Sequence, residues 1–176
     1  MVFIRFSGCN LRCDFCDTKI AWENGEMMEA EEIIKKVKQY PCKKICLTGG
    51  EPYLQNLSPF VELLKERKYW VTAETNGTLW QNLSLDWLTV SPKKESEEFH
   101  PEGYDKRFKN TATEFKYVIT DEKDFEFVDT GIKQPVILQP VDNNLEIANK
   151  IIEFLKESRR ENWYLRLQLH KIIKIK

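Results

Sequence analysis

The chain has no excess of charge of either sign: 27 Lys and Arg stand against 28 Asp and Glu, a net charge of −1. No sequence-wide basic surface therefore advertises nucleic acid or an anionic membrane, and the expected partner is a small molecule. Long hydrophobic runs are also missing. The opening "MVFIRFSG" is apolar but short, contains Arg5 and leads straight into cysteines, which suits a buried strand and neither a cleaved signal nor a spanning helix. There are no internal repeats and no low-complexity tracts. Histidine is scarce, with only His100 and His170. Without an export signal the protein is expected in the cytoplasm, where five cysteines, an odd number, do not make a disulfide framework. At 176 residues the chain is most simply one domain.

What is present alternates between strand and helix. Strands are expected at 2–6, in "KICLT" at 44–48, and in "YWVTAE", "DWLTV", "EFKYVI", "PVILQ" and "WYLRLQL". Between them, 29–40 places Ile33, Ile34, Val37 and Tyr40 on one helical face, and Ser58 followed by Pro59 is a helix entry ahead of Phe60, Leu63 and Leu64. Residues 121–129 read as helical, and so do 144–158, with Asn143 and Glu146 as a capping arrangement and Ala148, Ile151, Ile152 and Leu155 as the stripe. Only 93–112 is polar enough for a long loop or lid. This repetition predicts an α/β fold with a parallel sheet, either open and doubly wound or a partial barrel, with chemistry where strands end.

On the first strand-end loop, "CNLRCDFC" sets Cys9, Cys13 and Cys16 at spacings that let one turn direct three thiolates toward a common point. Soft thiolates suit iron–sulfur clusters or zinc, and structural zinc wants a fourth ligand that neither histidine supplies nearby in sequence. Three ligands leave an open corner. Packing of three small apolar side chains is the bland alternative. Cys42 and Cys46 lie apart from this loop, and Cys46 reads as core.

The motif resembles the CxxxCxxC of radical S-adenosylmethionine enzymes, and "LTGGEP" resembles that superfamily's glycine-rich strand end. The resemblance implies a [4Fe–4S] cluster whose fourth iron is chelated by S-adenosylmethionine, with Gly49 and Gly50 giving backbone access to the cofactor's amino acid end. A lone Gly-Gly is otherwise an ordinary turn. Finer matches in "FIRFSGCNLRCDFCDTKIAW", "ETNG", "SPK", "LQPVD" and "LRLQLHKIIKIK" resemble the 7-carboxy-7-deazaguanine synthases. That family turns 6-carboxy-5,6,7,8-tetrahydropterin into 7-carboxy-7-deazaguanine with release of ammonia, on the route to queuosine and archaeosine. Its fold is an incomplete parallel β/α barrel. The resemblance further implies Mg²⁺, a homodimer and a reductant such as flavodoxin or ferredoxin.

Carried over residue by residue, the resemblance assigns Thr18 to Mg²⁺; Phe15, Asp17, Gly49, Gly50, Glu51, Glu74, Ser91, Pro92, Lys93, Gln139, Pro140, Val141 and Asp142 to the cofactor; and Arg5, Thr48, His170 and Lys176 to substrate. Each has a plainer alternative. Thr18 can cap the following segment. Arg5, which by alternation faces away from Ile4 and Phe6, can clamp a carboxylate or simply face solvent. Glu51 and Glu74 can stabilise their own turns, and His170 can be structural. The family carries a further strand and a "SIQGEG"-type loop ahead of 2–6, so the chain is expected to be a single radical SAM domain over 1–176 without that strand and substrate loop. Two competing readings are an activase that generates a glycyl radical on a partner protein and a zinc- or cluster-bearing binding module.

Overall fold

The computed structural model describes residues 1–174. Seven strands form one sheet in chain order: β1 (Val2–Phe6), β2 (Lys44–Gly49), β3 (Trp70–Thr75), β4 (Trp87–Val90), β5 (Glu114–Ile119), β6 (Val136–Pro140) and β7 (Trp163–Leu165). Every neighbouring pair is parallel. Each connection therefore returns the chain to the same end and advances it by one strand, the progression of a barrel. β1 and β7 remain edges, so the barrel is incomplete.

Alternation gives the sheet two unlike faces. Ile45, Leu47, Val71, Ala73, Val90, Phe115, Tyr117, Ile119, Val136 and Leu138 turn to one side and are buried. The helices cover this side: α1 (Ala30–Val37) with Ile34 and Val37, α2 (Ser58–Glu66) with Phe60, Val61 and Leu64, and α5 (Leu145–Ser158) with Ile147 and Ile151, all in one core cluster. Two short helices, α3 (Phe108–Thr111) and α4 (Asp124–Phe127), lie between, and α6 (Leu169–Ile172) closes the described chain. Each fully buried Leu, Ile or Val contributes about 1.5–3 kcal/mol. The opposite face carries Arg5, Thr48, Glu74, Thr89, Glu114, Lys116 and Gln139, a polar trough in place of a second core.

Several expected boundaries move. The first helix ends at Val37, short of 40, and Tyr40 is 59% exposed, because the residue before Pro41 is pushed out of the helical region. Its start is a capping box of Glu29 and Glu32. Ser58 is the first helical residue, and its hydroxyl donates to Glu62 Oε1 at 3.1 Å instead of capping. The helix expected over 121–129 shrinks to α4, since the Asp124 carboxylate accepts from the Thr120 and Asp121 backbone N–H groups and holds a turn there. The cap of α5 is Asn144, whose Oδ1 accepts from Glu146 N and Ile147 N; Asn143, left-handed at φ 57°, binds Gln168 instead. The last strand stops at Leu165. Segment 93–112 is not a lid. It holds a 3-10 turn (Lys94–Glu98) and α3, and Ser96, Tyr104 and Phe108 have no exposed surface.

Candidate active site

The cysteine loop leaves β1 at Gly8, whose N–H donates to Ala21 O at 2.9 Å, so entry and exit of the loop are tied together. Inside it the Asn10 amide donates to Thr78 Oγ1 at 2.8 Å and accepts from Asn76 Nδ2 at 2.9 Å, while Arg12 Nη1 donates to Cys9 O at 2.6 Å. Cys13 is buried, and Cys9 and Cys16 are half-buried. All five cysteines are free thiols. Among the described residues, no three Cys, His, Asp or Glu side chains are grouped to hold a single ion. Cys9 lies near enough to Cys13 and Cys16 for their charges to bear on one another. Three thiolates with no fourth protein donor suit a cubane, which takes each on a different iron, better than closed tetrahedral zinc. Burial pushes Cys13 up to about 12, so the metal-free side chain is a thiol, and binding iron must displace its proton.

The glycine turn at the end of β2 has a structural cause. Gly49 sits at φ 124°, and a Cβ there would collide with the Phe6 backbone; one on Gly50 would collide with the carbonyls of Gly8 and Ala21. The absent side chains thus admit the cysteine loop's own backbone: Gly50 N donates to Phe6 O at 2.9 Å and Glu51 N to Gly8 O at 2.7 Å. Glu51, with no exposed surface, accepts from Tyr53 N (2.9 Å), Thr75 Oγ1 (2.7 Å) and Asn76 N (2.6 Å). Burial pushes it up to about 7 against these donors. So enclosed, the side chain offers a ligand no surface in this structure. It joins the end of β2 to the Asn76–Asn10 pair and so positions the loop.

Around the loop, Phe15, Pro92 and Lys93 share the lining of a cavity of about 350 Å³ with Asp14, Glu95 and Val118. Burial, and then Lys116, push Lys93 down to about 8, and its Nζ donates to Ser91 O at 2.6 Å. Ser91 is itself buried, donating to Lys116 O at 2.7 Å, so its hydroxyl is taken up within the strand end. Gln139 and Pro140 end β6, and Val141 and Asp142 follow it, with Asp142 left-handed at φ 48°. Asp17 takes Gln168 Nε2 at 2.9 Å, Lys171 Nζ at 3.1 Å and Thr18 Oγ1 at 3.0 Å. Its burial favours the neutral acid, but these donors prevail and hold it at about 2. Lys171 also reaches Asp142 at 2.7 Å, tying α6 across the loop. His170, chosen from sequence, is exposed, and its neighbour Lys171 makes these contacts. Lys176 lies outside the described residues.

In the trough, Arg5 is the register partner of Thr48, and its guanidinium lies 5.6 Å from the Phe3 ring centre. Thr48 Oγ1 donates to Glu74 Oε2 at 3.2 Å. Glu74 thus stands with the substrate candidates as much as with the cofactor ones. Its other oxygen faces Lys116 Nζ at 3.4 Å, and that ammonium holds Glu74 below the usual carboxylate range. Beyond it, Thr89 and Arg166 both donate to Glu114, at 3.0 Å each. Sequence reasoning missed Asn10, Asn76, Thr78, Glu114, Lys116 and Arg166. For Glu114 and Lys116 the signal was available, since period-two counting along "EFKYVI" puts both on the polar face.

A family model described as the radical SAM superfamily matches residues 3–127. The chain belongs to this superfamily. Within it, 7-carboxy-7-deazaguanine synthase of Bacteroides thetaiotaomicron is 36% identical over 99% of this chain and 87% of that protein. The enzyme of that name from Aquifex aeolicus is 35% identical over 99% of this chain and 85% of its own length. The chain is thus a member of the 7-carboxy-7-deazaguanine synthase family. Among solved structures, QueE from Escherichia coli superposes with a TM-score of 0.75 at 24% identity, covering 94% of this chain and 84% of that one, which shows the shared fold. SuiB from Streptococcus suis shares the fold more distantly, with a TM-score of 0.63 at 15% identity. Radical SAM membership implies a [4Fe–4S] cluster and S-adenosylmethionine, and three soft donors on a pinned loop beside an open cavity fit that pair.

Proposed function

We propose that the chain is a radical SAM lyase that converts 6-carboxy-5,6,7,8-tetrahydropterin to 7-carboxy-7-deazaguanine with loss of ammonia. The observation that carries this is the polar trough of Arg5, Thr48 and Glu74 at strand ends beside the three-cysteine loop, in a chain matched along 99% of its length by synthases. When bound, the cluster and S-adenosylmethionine supply a 5′-deoxyadenosyl radical. Cys9, Cys13 and Cys16 would hold the cluster, and Phe15, Pro92 and Lys93 the adenosyl cofactor. Arg5 holds the substrate carboxylate by its planar fork, so that C6 of the pterin alone is presented for hydrogen removal. Thr48 and Glu74 line the same face and orient the ring.

Thr18 is the proposed Mg²⁺ contact. It stands at the N-cap of a 3-10 turn, yet its hydroxyl makes no capping bond, which leaves a hard oxygen donor beside the loop. A homodimer and a flavodoxin- or ferredoxin-type reductant belong to the same reading, on the family's example. The test is a chromatographic assay for 7-carboxy-7-deazaguanine under anaerobic conditions with dithionite, S-adenosylmethionine and Mg²⁺. Product that depends on the cluster, with Mg²⁺ stimulation weakened in Thr18→Ala, is the expected result. Glycyl-radical formation on a co-encoded protein, with no deazaguanine product, would overturn the proposal.

A further inference from the structure

Of the two ion pairs in the trough, Glu74–Lys116 is the one with a cation that can give up its proton, and the reading above leaves that proton without a role. Glu74 on β3 and Lys116 on β5 meet across β4, Nζ to Oε1 at 3.4 Å. Lys116 keeps 20% of its side-chain surface exposed and Glu74 keeps 41%, so both side chains have surface open toward whatever fills the trough. Thr48 Oγ1 fixes the second carboxylate oxygen at 3.2 Å, in register with Arg5. A ligand whose carboxylate rests on Arg5 therefore lies against Glu74.

We propose that Glu74 and Lys116 are the acid–base pair for the polar half of the reaction, the loss of ammonia. The inference rests on the synthase reading above. Expelling an amine from a ring requires a proton on the departing nitrogen and removal of a proton from the neighbouring carbon. The C–N bond breaks with its electron pair on nitrogen, which takes a proton from the Lys116 ammonium. Glu74 takes the proton from the adjacent ring carbon, and that C–H electron pair becomes the new double bond. Glu74 then returns its proton to Lys116 across the short gap between them, so the pair ends as it began and no oxidant or reductant enters. The conversion is redox-neutral, as required. General acid–base assistance of this kind is worth about 10²–10⁴-fold.

The experiment separates hydrogen removal from ammonia loss. Substrate deuterated at C6 is incubated with reconstituted enzyme, and deuterium appearing in S-adenosylmethionine is compared with ammonia released. In Lys116→Met, ammonia release should fall by about 10²-fold while the KM for the pterin and deuterium transfer change by less than about threefold. Lys116→Arg should keep Glu74 paired but lose ammonia release as well, because a guanidinium does not give up its proton. Cluster content and melting temperature of both variants serve as the folding control, and the arginine variant retains a charged partner for Glu74 if the methionine variant is unstable. Full activity in Lys116→Arg, or parallel loss of deuterium transfer and ammonia in both variants, would overturn the pair. Wild-type enzyme that transfers no deuterium and releases no ammonia would instead overturn the synthase reading, and the pair with it.

Discussion

Replacing Glu51 by Gln tests whether the cysteine loop is positioned from the glycine turn. At pH 8, above the value of about 7 to which burial raises it, the wild-type carboxylate is ionised, fully buried and accepts from three donors, at 2.9, 2.7 and 2.6 Å. An amide has one acceptor oxygen. If that oxygen stays on Tyr53 N and Thr75 Oγ1, the amide nitrogen opposes Asn76 N, donor against donor. A buried donor left unsatisfied costs about 1–3 kcal/mol, and weakening two charge-assisted bonds adds about 1 kcal/mol, for a destabilisation of about 2–4 kcal/mol. For a domain of this size each kcal/mol moves the melting temperature by about 2–4 °C, so Glu51→Gln should melt roughly 5–15 °C lower. The damage should also reach the cluster, because Asn76 is the residue whose amide holds Asn10 inside the cysteine loop. Thermal denaturation by circular dichroism and the rate of iron loss to a chelator are the two assays. A variant that melts within about 1 °C of wild type and loses iron no faster would refute the reasoning and return Glu51 to the cofactor surface.

Anaerobic reconstitution should yield one [4Fe–4S] cluster that is lost in Cys13→Ala and kept in Cys46→Ala; Cys46 is buried in β2, and burial pushes its thiol up to about 11. A stable cluster in Cys13→Ala would remove the loop from that role. Gly50→Ala should abolish cluster retention, since its Cβ meets the carbonyls of Gly8 and Ala21; an alanine variant that reconstitutes normally would contradict this. Asp105, hydrogen-bonded by Arg107 against the opposing effect of burial, is held at about 2 from an ordinary 3.8. A depressed acid contributes stability that is present above about pH 3.8 and lost as pH falls through about 2, so Arg107→Ala should raise the pH of acid unfolding, and an Asp105 carboxyl resonance still titrating near 2 in that variant would defeat the assignment.

How much was legible in the sequence differed by residue, for physical reasons. The strands could be placed because a parallel sheet covered on one face demands runs such as "KICLT" and "EFKYVI", and the three-thiol loop because its spacing has few other uses. One-residue distinctions were not legible. Asn143 and Asn144 can both cap a helix, and only the backbone decides that Asn144 does while Asn143 takes Gln168. The same ambiguity separates exposed His170 from Lys171, which sits on the other side of a four-residue helix. Glu51 and Glu74 looked alike in "GGEP" and "ETNG"; what distinguishes them is depth, one enclosed by backbone donors and the other open in the trough. Polar composition over 93–112 concealed Tyr104 and Phe108, two aromatic anchors that turn an expected lid into a fixed wall.

The charge balance of the trough gives the strongest reason for treating Arg5 as the substrate anchor. Toward its strand-end side stand three cations, Arg5, Lys116 and Arg166, against Glu74 and Glu114; Lys44 shares this face of β2 but lies at the strand's start, over the Trp70 ring. Lys116 is matched to Glu74 at 3.4 Å and Arg166 to Glu114 at 3.0 Å. Among the described residues Arg5 makes no ion pair; its guanidinium lies 5.6 Å from the Phe3 ring centre. Counted over the described residues, the trough is thus short by one negative charge, at the position where Thr48 and the open side of Glu74 converge. A ligand with a single carboxylate completes it, whereas a neutral ligand leaves Arg5 unmatched and a dianion brings a second charge toward Glu74. Lysine at this position would restore the charge and lose the two-point geometry. Arg5→Lys should therefore lose activity on 6-carboxytetrahydropterin by about ten-fold or more, about 1.4 kcal/mol, with cluster content unchanged. An Arg5→Lys enzyme with wild-type kcat/KM would show that charge alone suffices and that the planar fork is not what holds the substrate.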